Sequence, residues 1–165
     1  MAKDSSFDVV SQVDMQEVDN ATQQAAREVS QRYDLKDSGA QVELNRAEGV
    51  LTVSAPADFV ARQVTDIVNS KLLKRGVDVS AVSWSDPQAA SGGTVRLTGQ
   101  VVQGIDQATA KKINTDIKAQ KLKVKVTIEA DKLRVSSASK DALQQVIAYL
   151  REQDYGQPLQ YTNYR

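Results

Sequence analysis

The residues best suited to chemistry are the lysines of segment 110–126. The segment has the sequence AKKINTDIKAQKLKVKV and contains a single acid, Asp116. Its lysines are Lys111, Lys112, Lys118, Lys121, Lys123 and Lys125. Clustered ammonium groups attract phosphate through charge-assisted hydrogen bonds, so the chemistry that this segment suggests is anion binding. A solvated, lysine-rich face that serves only solubility is the alternative.

This cluster is hidden by a neutral total charge. The chain has 21 basic and 21 acidic residues. Residues 1–86 contain 9 Lys/Arg against 14 Asp/Glu, whereas residues 87–165 contain 12 against 7. An asymmetry between halves suggests that the basic half faces an anion, and phosphate is the usual candidate.

The residue types that are absent narrow the chemistry further. The chain has no histidine and no cysteine. This excludes serine–histidine and cysteine–histidine nucleophiles, thiolate redox sites and the usual zinc sites. No GxxxxGK[ST] phosphate loop and no GxGxxG motif occurs. The glycine pair at 92–93 precedes a strand pattern, so it indicates a linker.

The carboxylates near the start of the first predicted helix are Asp14, Glu17 and Asp19. Helix capping and complementarity to the helix dipole explain them better than acid–base chemistry. We therefore predict a protein that is not an enzyme, with no catalytic residue, no metal site and no cofactor.

Composition indicates an ordinary globular protein. Of 165 residues, 41% are apolar and 25% charged, and this length supports one domain or two small ones. The apolar runs are far shorter than the roughly 20 residues that cross a bilayer. The N-terminus lacks an apolar signal core, and no disulfide can form. We expect a bacterial, cytoplasmic protein without a membrane partner.

Hydrophobic periodicity follows the order β-α-β-β-α-β twice. In the first half, strands are predicted at 7–13, 41–45, 50–54 and 79–84, and helices from Asp14 and from Pro56 to Arg75. In the second half, strands are predicted at 95–101, 123–129, 132–136 and 159–164, and helices begin after Asp106 and Ser139.

The repeated order predicts an α+β protein built as a tandem duplication of a ferredoxin-like βαββαβ sandwich. Each copy has an antiparallel sheet with helices on one face. The predicted domains are residues 1–86 and 93–165, with residues 87–92 as the linker. The other face of each sheet is left for solvent, for packing or for binding.

Strand alternation assigns several basic residues to the open face of the second sheet. The predicted phosphate-binding residues are Arg96, Lys123, Lys125 and Arg134. The secondary basic candidates are Lys111, Lys118, Lys74 and Arg75. The corresponding open face of the first half carries no basic residue, so the contrast between the halves favours binding over mere solubility.

Aromatic residues leave alternatives open. The RNA-recognition module stacks bases on aromatic residues of its central strands, but the corresponding positions here hold Lys and Thr. Trp84 stacks on a base or, more in keeping with its position, fills an interface. Tyr161 and Tyr164 alternate poorly with Leu159. One of these tyrosines is therefore expected to be exposed, for stacking or for packing.

Five segments together resemble the YajQ family. They are residues 6–11 (SFDVVS), 71–76 (KLLKRG), 103–106 (QGID, followed by Lys111-Lys112-Ile113), 121–124 (KLKV) and 156–161 (GQPLQY). The similarity keeps one register from about residue 5 to 165. Residues 78–90 depart most from the family pattern.

The resemblance implies a bacterial, cytoplasmic protein of two ferredoxin-like domains, in which the first strands (6–13 and 94–102) are exchanged or retained. It also implies nucleotide binding, and for some members the binding of cyclic di-GMP as effectors. It does not supply a set of ligand residues.

Three functions follow from the residues and the resemblance. The favoured one is a non-enzymatic nucleotide-binding protein, with a guanine nucleotide or cyclic di-GMP as ligand and a protein as effector partner. The second is an RNA-binding or ribosome-associated accessory protein. The third is a protein-interaction scaffold.

Overall fold

The computed structural model describes residues 4–165. Residues 1–3, which open the first predicted domain, lie outside it. The structure contains four α-helices and two antiparallel sheets, which confirms the predicted α+β, duplicated ferredoxin-like fold. The strands are β1 (Ser5–Val10), β2 (Gln41–Asn45), β3 (Val50–Ala55), β4 (Val82–Trp84), β5 (Gln88–Ala89), β6 (Val95–Val101), β7 (Lys125–Glu129), β8 (Lys132–Ser137) and β9 (Gln160–Thr162). The helices are α1 (Met15–Gln31), α2 (Asp58–Lys74), α3 (Gln107–Ala119) and α4 (Lys140–Arg151).

Three of the four helices begin at a side-chain cap. Asp14 Oδ1 accepts hydrogen bonds from the backbone N–H groups of Gln16 and Glu17, and so caps α1. Asp106 caps α3 and Ser139 caps α4 in the same way. These caps satisfy N–H groups that have no partner inside the helix. The predicted capping residues are therefore confirmed.

The two sheets belong to two compact units. Unit 2 comprises residues 13–102, and its sheet has the strand order β2-β3-β6-β4, with β5 also paired to β6. Helices α1 and α2 pack on this sheet. The core between them is built from apolar side chains such as Val18, Leu51, Val64 and Leu97.

Unit 1 comprises residues 4–12 and 103–165, and its sheet has the strand order β7-β8-β1-β9. Helices α3 and α4 cover one face. The core contains Phe7, Ile113, Leu133 and Val146, each fully or almost fully buried.

The first strand of each half stands in the sheet formed by the other half. Strand β1 pairs with β8 and β9, and β6 pairs with β3 and β4. Each therefore occupies the position that the first strand of a βαββαβ unit takes. We propose that the two discontinuous units are the domains of the protein, in place of the contiguous segments 1–86 and 93–165.

The region 78–94 differs most from its predicted form. The predicted strand 79–84 is a short 3-10 turn, Val79–Ala81, followed by β4. Asp78 produces the turn, because its carboxylate accepts the backbone N–H of Ser80. The predicted linker instead contains β5 and a second 3-10 turn, Ser91–Gly93.

Candidate functional site

The four predicted phosphate-binding residues do not share one sheet. Arg96 lies on β6, opposite Ser54 of β3, and so belongs to unit 2. Lys123, Lys125 and Arg134 belong to unit 1. The prediction of one surface assumed that the strand carrying Arg96 pairs within the second half of the chain. In the structure that strand, β6, pairs with β3 of unit 2. Strand β1 takes the corresponding position beside β8 in unit 1, and β1 carries an acid there.

That acid is Asp8, the central charged group of the unit 1 sheet. Asp8 is opposite Arg134 of β8 and only 2% exposed. Its Oδ1 lies 3.2 Å from Arg134 Nε, and its Oδ2 lies 3.2 Å from Lys132 Nζ and 2.9 Å from Asn163 Nδ2. Arg134 also lies 3.6 Å from Glu129. Arg134 is therefore committed to two carboxylates, which reduces its attraction for a phosphate.

The same contacts govern the protonation of Asp8. Burial alone would raise the pKa of Asp8, because it disfavours the charged form. The hydrogen bonds from Asn163, Arg134 and Lys132 outweigh burial and bring the pKa of Asp8 below its ordinary value. Asp8 is thus an ionised counter-charge for the two cations.

Lys123 and Lys125 are the predicted site residues of unit 1 that are exposed and form no ion pair within residues 4–165. Lys125 opens β7 and is opposite Ser136, which is in turn opposite Ser6 of β1. Lys123 lies just before β7, where its carbonyl oxygen accepts the hydroxyl of Ser137 at 2.6 Å. Neither lysine forms an ion pair with another residue of 4–165. Both lie at the end of the sheet where β1 begins and β8 ends.

A bulge after β9 brings an aromatic ring to this end of unit 1. Asp8 is opposite Thr162, so regular pairing would set residue 164 opposite Ser6. Instead the backbone groups of Ser6 and Arg165 exchange two hydrogen bonds, of 3.1 and 2.9 Å. The extra residue is Asn163, with a left-handed φ of 57°. Such a bulge reverses the direction of the following side chain.

As a result, Tyr164 turns towards the helix-covered side of the sheet. Its ring lies 6.1 Å from the ring of Phe7, which also contacts Tyr161 edge-on at 6.0 Å. Tyr161 is half-buried and packs on the core, whereas Tyr164 stays 61% exposed. Tyr164 is therefore the exposed tyrosine of the pair.

Tyr164 borders a cleft of about 310 Å³ between the start of β1 and α4. The apolar side chains of Phe7, Leu143 and Ile147 line it. Two cations, Lys140 and Arg165, also line it. The cleft therefore combines an aromatic face, an apolar wall and positive charge.

The charge at this end of unit 1 is predominantly positive. Lys140 and Arg165 form no ion pair with another described residue, and the same is true of Lys123 and Lys125. Asp141 follows Lys140 in the sequence, and Asp4 immediately precedes β1. Residues 4–12 and 103–165 of unit 1 contain 11 basic against 9 acidic residues, and unit 2 contains 9 against 12. Exchange of the first strands reduces the contrast between halves but leaves unit 1 positive.

The secondary basic candidates lie elsewhere. Lys111 and Lys118 are exposed on α3. Lys74 is exposed at the end of α2. Arg75 instead binds Glu17 with two hydrogen bonds, of 2.7 and 3.1 Å. Arg75 therefore holds the end of α2 to the start of α1, which is a structural role.

Trp84 is a packing residue of unit 2. Its indole N–H donates to Asn69 Oδ1 at 3.2 Å. A Cβ added to Gly99 would lie only 2.8 Å from the Trp84 ring. Gly99 thus makes room for the indole, and stacking of Trp84 on a base is not supported.

The segments 103–106 and 156–161 hold the exchanged strand in place. The Gly104 N–H donates to Ser11 O at 2.7 Å, and Gly104 O accepts from Gln157 Nε2 at 2.6 Å. Gln160 pairs through its side chain with both backbone groups of Gln12. These segments are therefore structural parts of unit 1.

Sequence reasoning missed Lys140, Arg165, Asn163 and the role of Asp8. Lys140 followed a helix cap and drew no attention. The signal for Asn163 and Arg165 was the irregular spacing of Tyr161 and Tyr164, which the bulge at Asn163 explains. Asp8 lies on β1 between the inward-facing residues Phe7 and Val9, and strand alternation therefore directs it to the open face of the sheet.

Two further features of residues 4–165 bear on function. No cluster of three or more acidic side chains there could hold a metal ion. No helix in this range is both long and apolar enough to span a membrane.

Comparison with known proteins gives one consistent result. The family model described as "Nucleotide-binding protein YajQ-like" matches residues 5–165. A protein named "Nucleotide-binding protein" from Desulfitobacterium hafniense (strain DSM 10664 / DCB-2) is 50% identical over 165 residues, with 100% of both chains covered. Proteins of the same name from Alkaliphilus oremlandii and Enterococcus faecalis are 45% and 46% identical, over 100% and 99% of both chains. The chain therefore belongs to the YajQ family.

Proposed function

We propose that this protein binds a nucleotide in unit 1 and does not transform it. The observation that carries the proposal is the cleft beside Tyr164, where an exposed ring, an apolar wall and two cations without an ion pair in residues 4–165 meet. A nucleotide has the matching parts, which are a planar base and a charged phosphate. The names of the relatives, which say that those proteins bind nucleotides, support the proposal.

The base is proposed to stack on Tyr164. A tyrosine that is 61% exposed beside buried Phe7 offers one free aromatic face. Stacking of a base on an aromatic side chain contributes roughly 1–3 kcal/mol and tolerates different bases. The cleft volume of about 310 Å³ lies at the lower end of the roughly 300–1,000 Å³ usual for small-molecule sites. It suits one base with its sugar.

The phosphates are proposed to lie against Lys140 and Arg165. Both side chains line the cleft, and charge-assisted hydrogen bonds to phosphate are about twice as strong as neutral ones. Lys123 and Lys125 lie at the same end of the sheet, on the open-face side of β7. They extend the positive surface for a ligand with several phosphates.

Within this class, we propose a guanine nucleotide, with cyclic di-GMP as an effector ligand sensed by a protein partner in the cytoplasm. Family resemblance is the support for this finer assignment. No side chain in the cleft selects one base over another, because Gln144, the amide that lines it, can pair with either purine.

The test is a calorimetric titration of the purified protein with GTP, ATP, cyclic di-GMP and a short RNA, each at two salt concentrations. We expect saturable binding of at least one nucleotide. Tyr164→Ala should weaken it about tenfold or more, in keeping with the stacking energy. Tyr33→Ala is the matched control, because Tyr33 is 89% exposed and belongs to unit 2. It should leave the affinity unchanged.

Charge reversal tests the phosphate end. Lys140→Glu/Arg165→Glu should abolish measurable binding, and Lys123→Glu/Lys125→Glu should weaken triphosphates more than monophosphates. Lys74→Glu, at an exposed position of unit 2, is the control. Equal affinity in the Lys140/Arg165 variant and the wild type would refute the site. Affinity that grows with RNA length, falls steeply with salt and ignores mononucleotides would instead show an RNA-binding protein.

A further inference from the structure

Strand exchange leaves one arginine of the predicted phosphate site in unit 2, in surroundings of its own. Arg96 lies on β6 between Ser54 of β3 and Gln88 of β5. Its side chain is exposed, on the face of the sheet opposite to buried Leu97. Within residues 4–165 its guanidinium has no carboxylate partner. Its five N–H donors are therefore available to a ligand.

Residues 85–94 fold back beside Arg96 and are held there by hydrogen bonds. Ser85 N–H donates to Thr98 O at 2.7 Å, and Thr98 N–H donates to Ser85 Oγ at 2.9 Å. Further along, Ala90 N–H donates to Thr94 O at 2.8 Å. The reversal occurs at Gly92 and Gly93, both with left-handed φ values near 75° that suit glycine. These bonds hold residues 85–94 in a defined conformation, and the segment forms a wall beside Arg96.

Between this wall and β6 lies a cavity of about 350 Å³. Arg96 is the one charged side chain among the residues that line it. Ser85, Ser91 and Thr98 add hydroxyl groups, and Gln88 adds an amide. The Ser85 oxygen accepts from Thr98 N–H and, at 3.4 Å, from the Thr98 hydroxyl, so the Ser85 proton remains free to donate to a ligand whereas the Thr98 proton does not. Asp86, the acid within the segment 85–94, does not line the cavity.

We propose that this cavity, the Arg96 pocket, is a second binding site and takes an oxyanion, either a phosphate or a carboxylate group. An arginine fork matches the paired oxygens of both groups, and the hydroxyl and amide donors complete their shell. A cation is disfavoured, since the pocket holds a positive charge and no carboxylate. The site lies outside the unit that carries the proposed nucleotide cleft, so it goes beyond that function.

The test uses the full-length protein labelled with ¹⁵N and titrated separately with inorganic phosphate and with acetate at constant ionic strength. We expect saturable shifts of the backbone amides of residues 85–98 with at least one of the two anions. The anion that saturates identifies the ligand group. Arg96→Gln should remove saturation, and Arg96→Lys should weaken it about tenfold, since a lysine keeps the charge but loses the fork.

Arg62→Gln is the control, because Arg62 is an exposed arginine on α2 without an ion pair in the described chain. It should behave as the wild type. Shifts that persist in Arg96→Gln, or that grow linearly without saturation for both anions, would overturn the proposal. The unchanged amide spectrum of core residues in each variant verifies that the variant is folded.

Discussion

The side-chain nitrogen of Asn163 donates a hydrogen bond to Oδ2 of Asp8 at 2.9 Å. This bond joins the central strand of the unit 1 sheet to the bulge that directs Tyr164. Asn163 has a left-handed φ of 57°, a conformation that asparagine tolerates better than most residues. Asp8, 2% exposed, is fixed by its two cations. The position of the proposed stacking ring therefore depends on the buried carboxylate of Asp8, the residue that follows Phe7 of the cleft wall.

The first prediction concerns the bulge. Asn163→Val should weaken nucleotide binding about tenfold, because a β-branched residue resists positive φ, at a cost on the order of 1–3 kcal/mol. The bulge would then straighten and turn Tyr164 away from Phe7. The measurements are nucleotide affinity by calorimetry and stability by urea denaturation.

Asn163→Gly is the companion variant. Glycine permits the left-handed backbone but lacks the amide, so it separates conformation from hydrogen bonding. We expect an affinity between those of the wild type and Asn163→Val. Full affinity in the valine variant would show that the bulge does not position Tyr164.

The second prediction concerns the contribution of Asp8 to the stability of the protein at acidic pH. The pKa of Asp8 in the folded protein is below its ordinary value, because hydrogen bonds outweigh the opposing effect of burial. An Asp with a depressed folded pKa stabilises the protein above its unfolded pKa, about 3.9. This contribution is lost as pH falls through the lower, folded pKa.

Asp8→Asn should therefore lower the free energy of unfolding at neutral pH by roughly 3 kcal/mol, since it leaves two cations without their buried partner. The variant should also lose less stability than the wild type between about pH 4 and pH 2. Glu129→Gln is the control, with an expected change below about 1 kcal/mol, because the Glu129–Arg134 pair is half-exposed and long at 3.6 Å. Parallel acid curves for wild type and Asp8→Asn would contradict the assignment.

The third prediction concerns Tyr155. Its hydroxyl donates to Asp116 Oδ2 at 2.8 Å. Burial, followed by the carboxylate of Asp116, raises the pKa of Tyr155 well above its usual value. Because an unfolded tyrosine ionises near pH 10, stability should decline as pH rises above about 10.

Tyr155→Phe should lose about 1 kcal/mol at neutral pH, the net contribution of one hydrogen bond. It should decline less steeply than the wild type in alkali. A spectrophotometric titration of the folded wild type should show at least one tyrosine that ionises above the ordinary tyrosine pKa of about 10. The assignment would be disproved if Tyr155→Phe removed a tyrosine that ionises near pH 10 and kept every tyrosine that ionises at higher pH.

The fourth prediction concerns Gly99. A Cβ at this position would lie 2.7 Å from Val82 Cγ1 and 2.8 Å from the Trp84 ring. Gly99→Ala should therefore destabilise unit 2 by about 1–3 kcal/mol, the usual cost of overpacking, and change the fluorescence of Trp84.

Trp84→Leu supplies the matched test, because a smaller side chain makes room for the added methyl group. In the double variant, the cost of Gly99→Ala should be smaller than in the wild type. Strictly additive costs would show that the indole is not what excludes a Cβ.

Local patterns predicted most of the fold. The capping residues Asp14, Asp106 and Ser139 and the hairpins of 41–55 and 125–137 depend on contacts within a few residues. The chain was also sufficient to identify two βαββαβ copies. Residues 78–94 escaped prediction, because a two-residue strand and two 3-10 turns leave no hydrophobic period to detect.

The candidate site was predicted only in part. Lys123 and Lys125 were expected on the open face, and they are exposed there. Arg96 and Arg134 were grouped with them by strand alternation alone. That grouping did not consider which strand lies beside β8, and therefore missed the carboxylate of Asp8.

The sequence by itself determined most of the elements and a surplus of positive charge in the second half, because composition and periodicity are local properties, and its motifs carried the resemblance to the family. The tertiary structure decided which strands pair. The two first strands have equivalent hydrophobic patterns, so each fits either sheet, and only the pairing places Asp8 beside Arg134 and Arg96 beside Ser54. The bulge at Asn163 depends on that same pairing, and with it the direction of Tyr164.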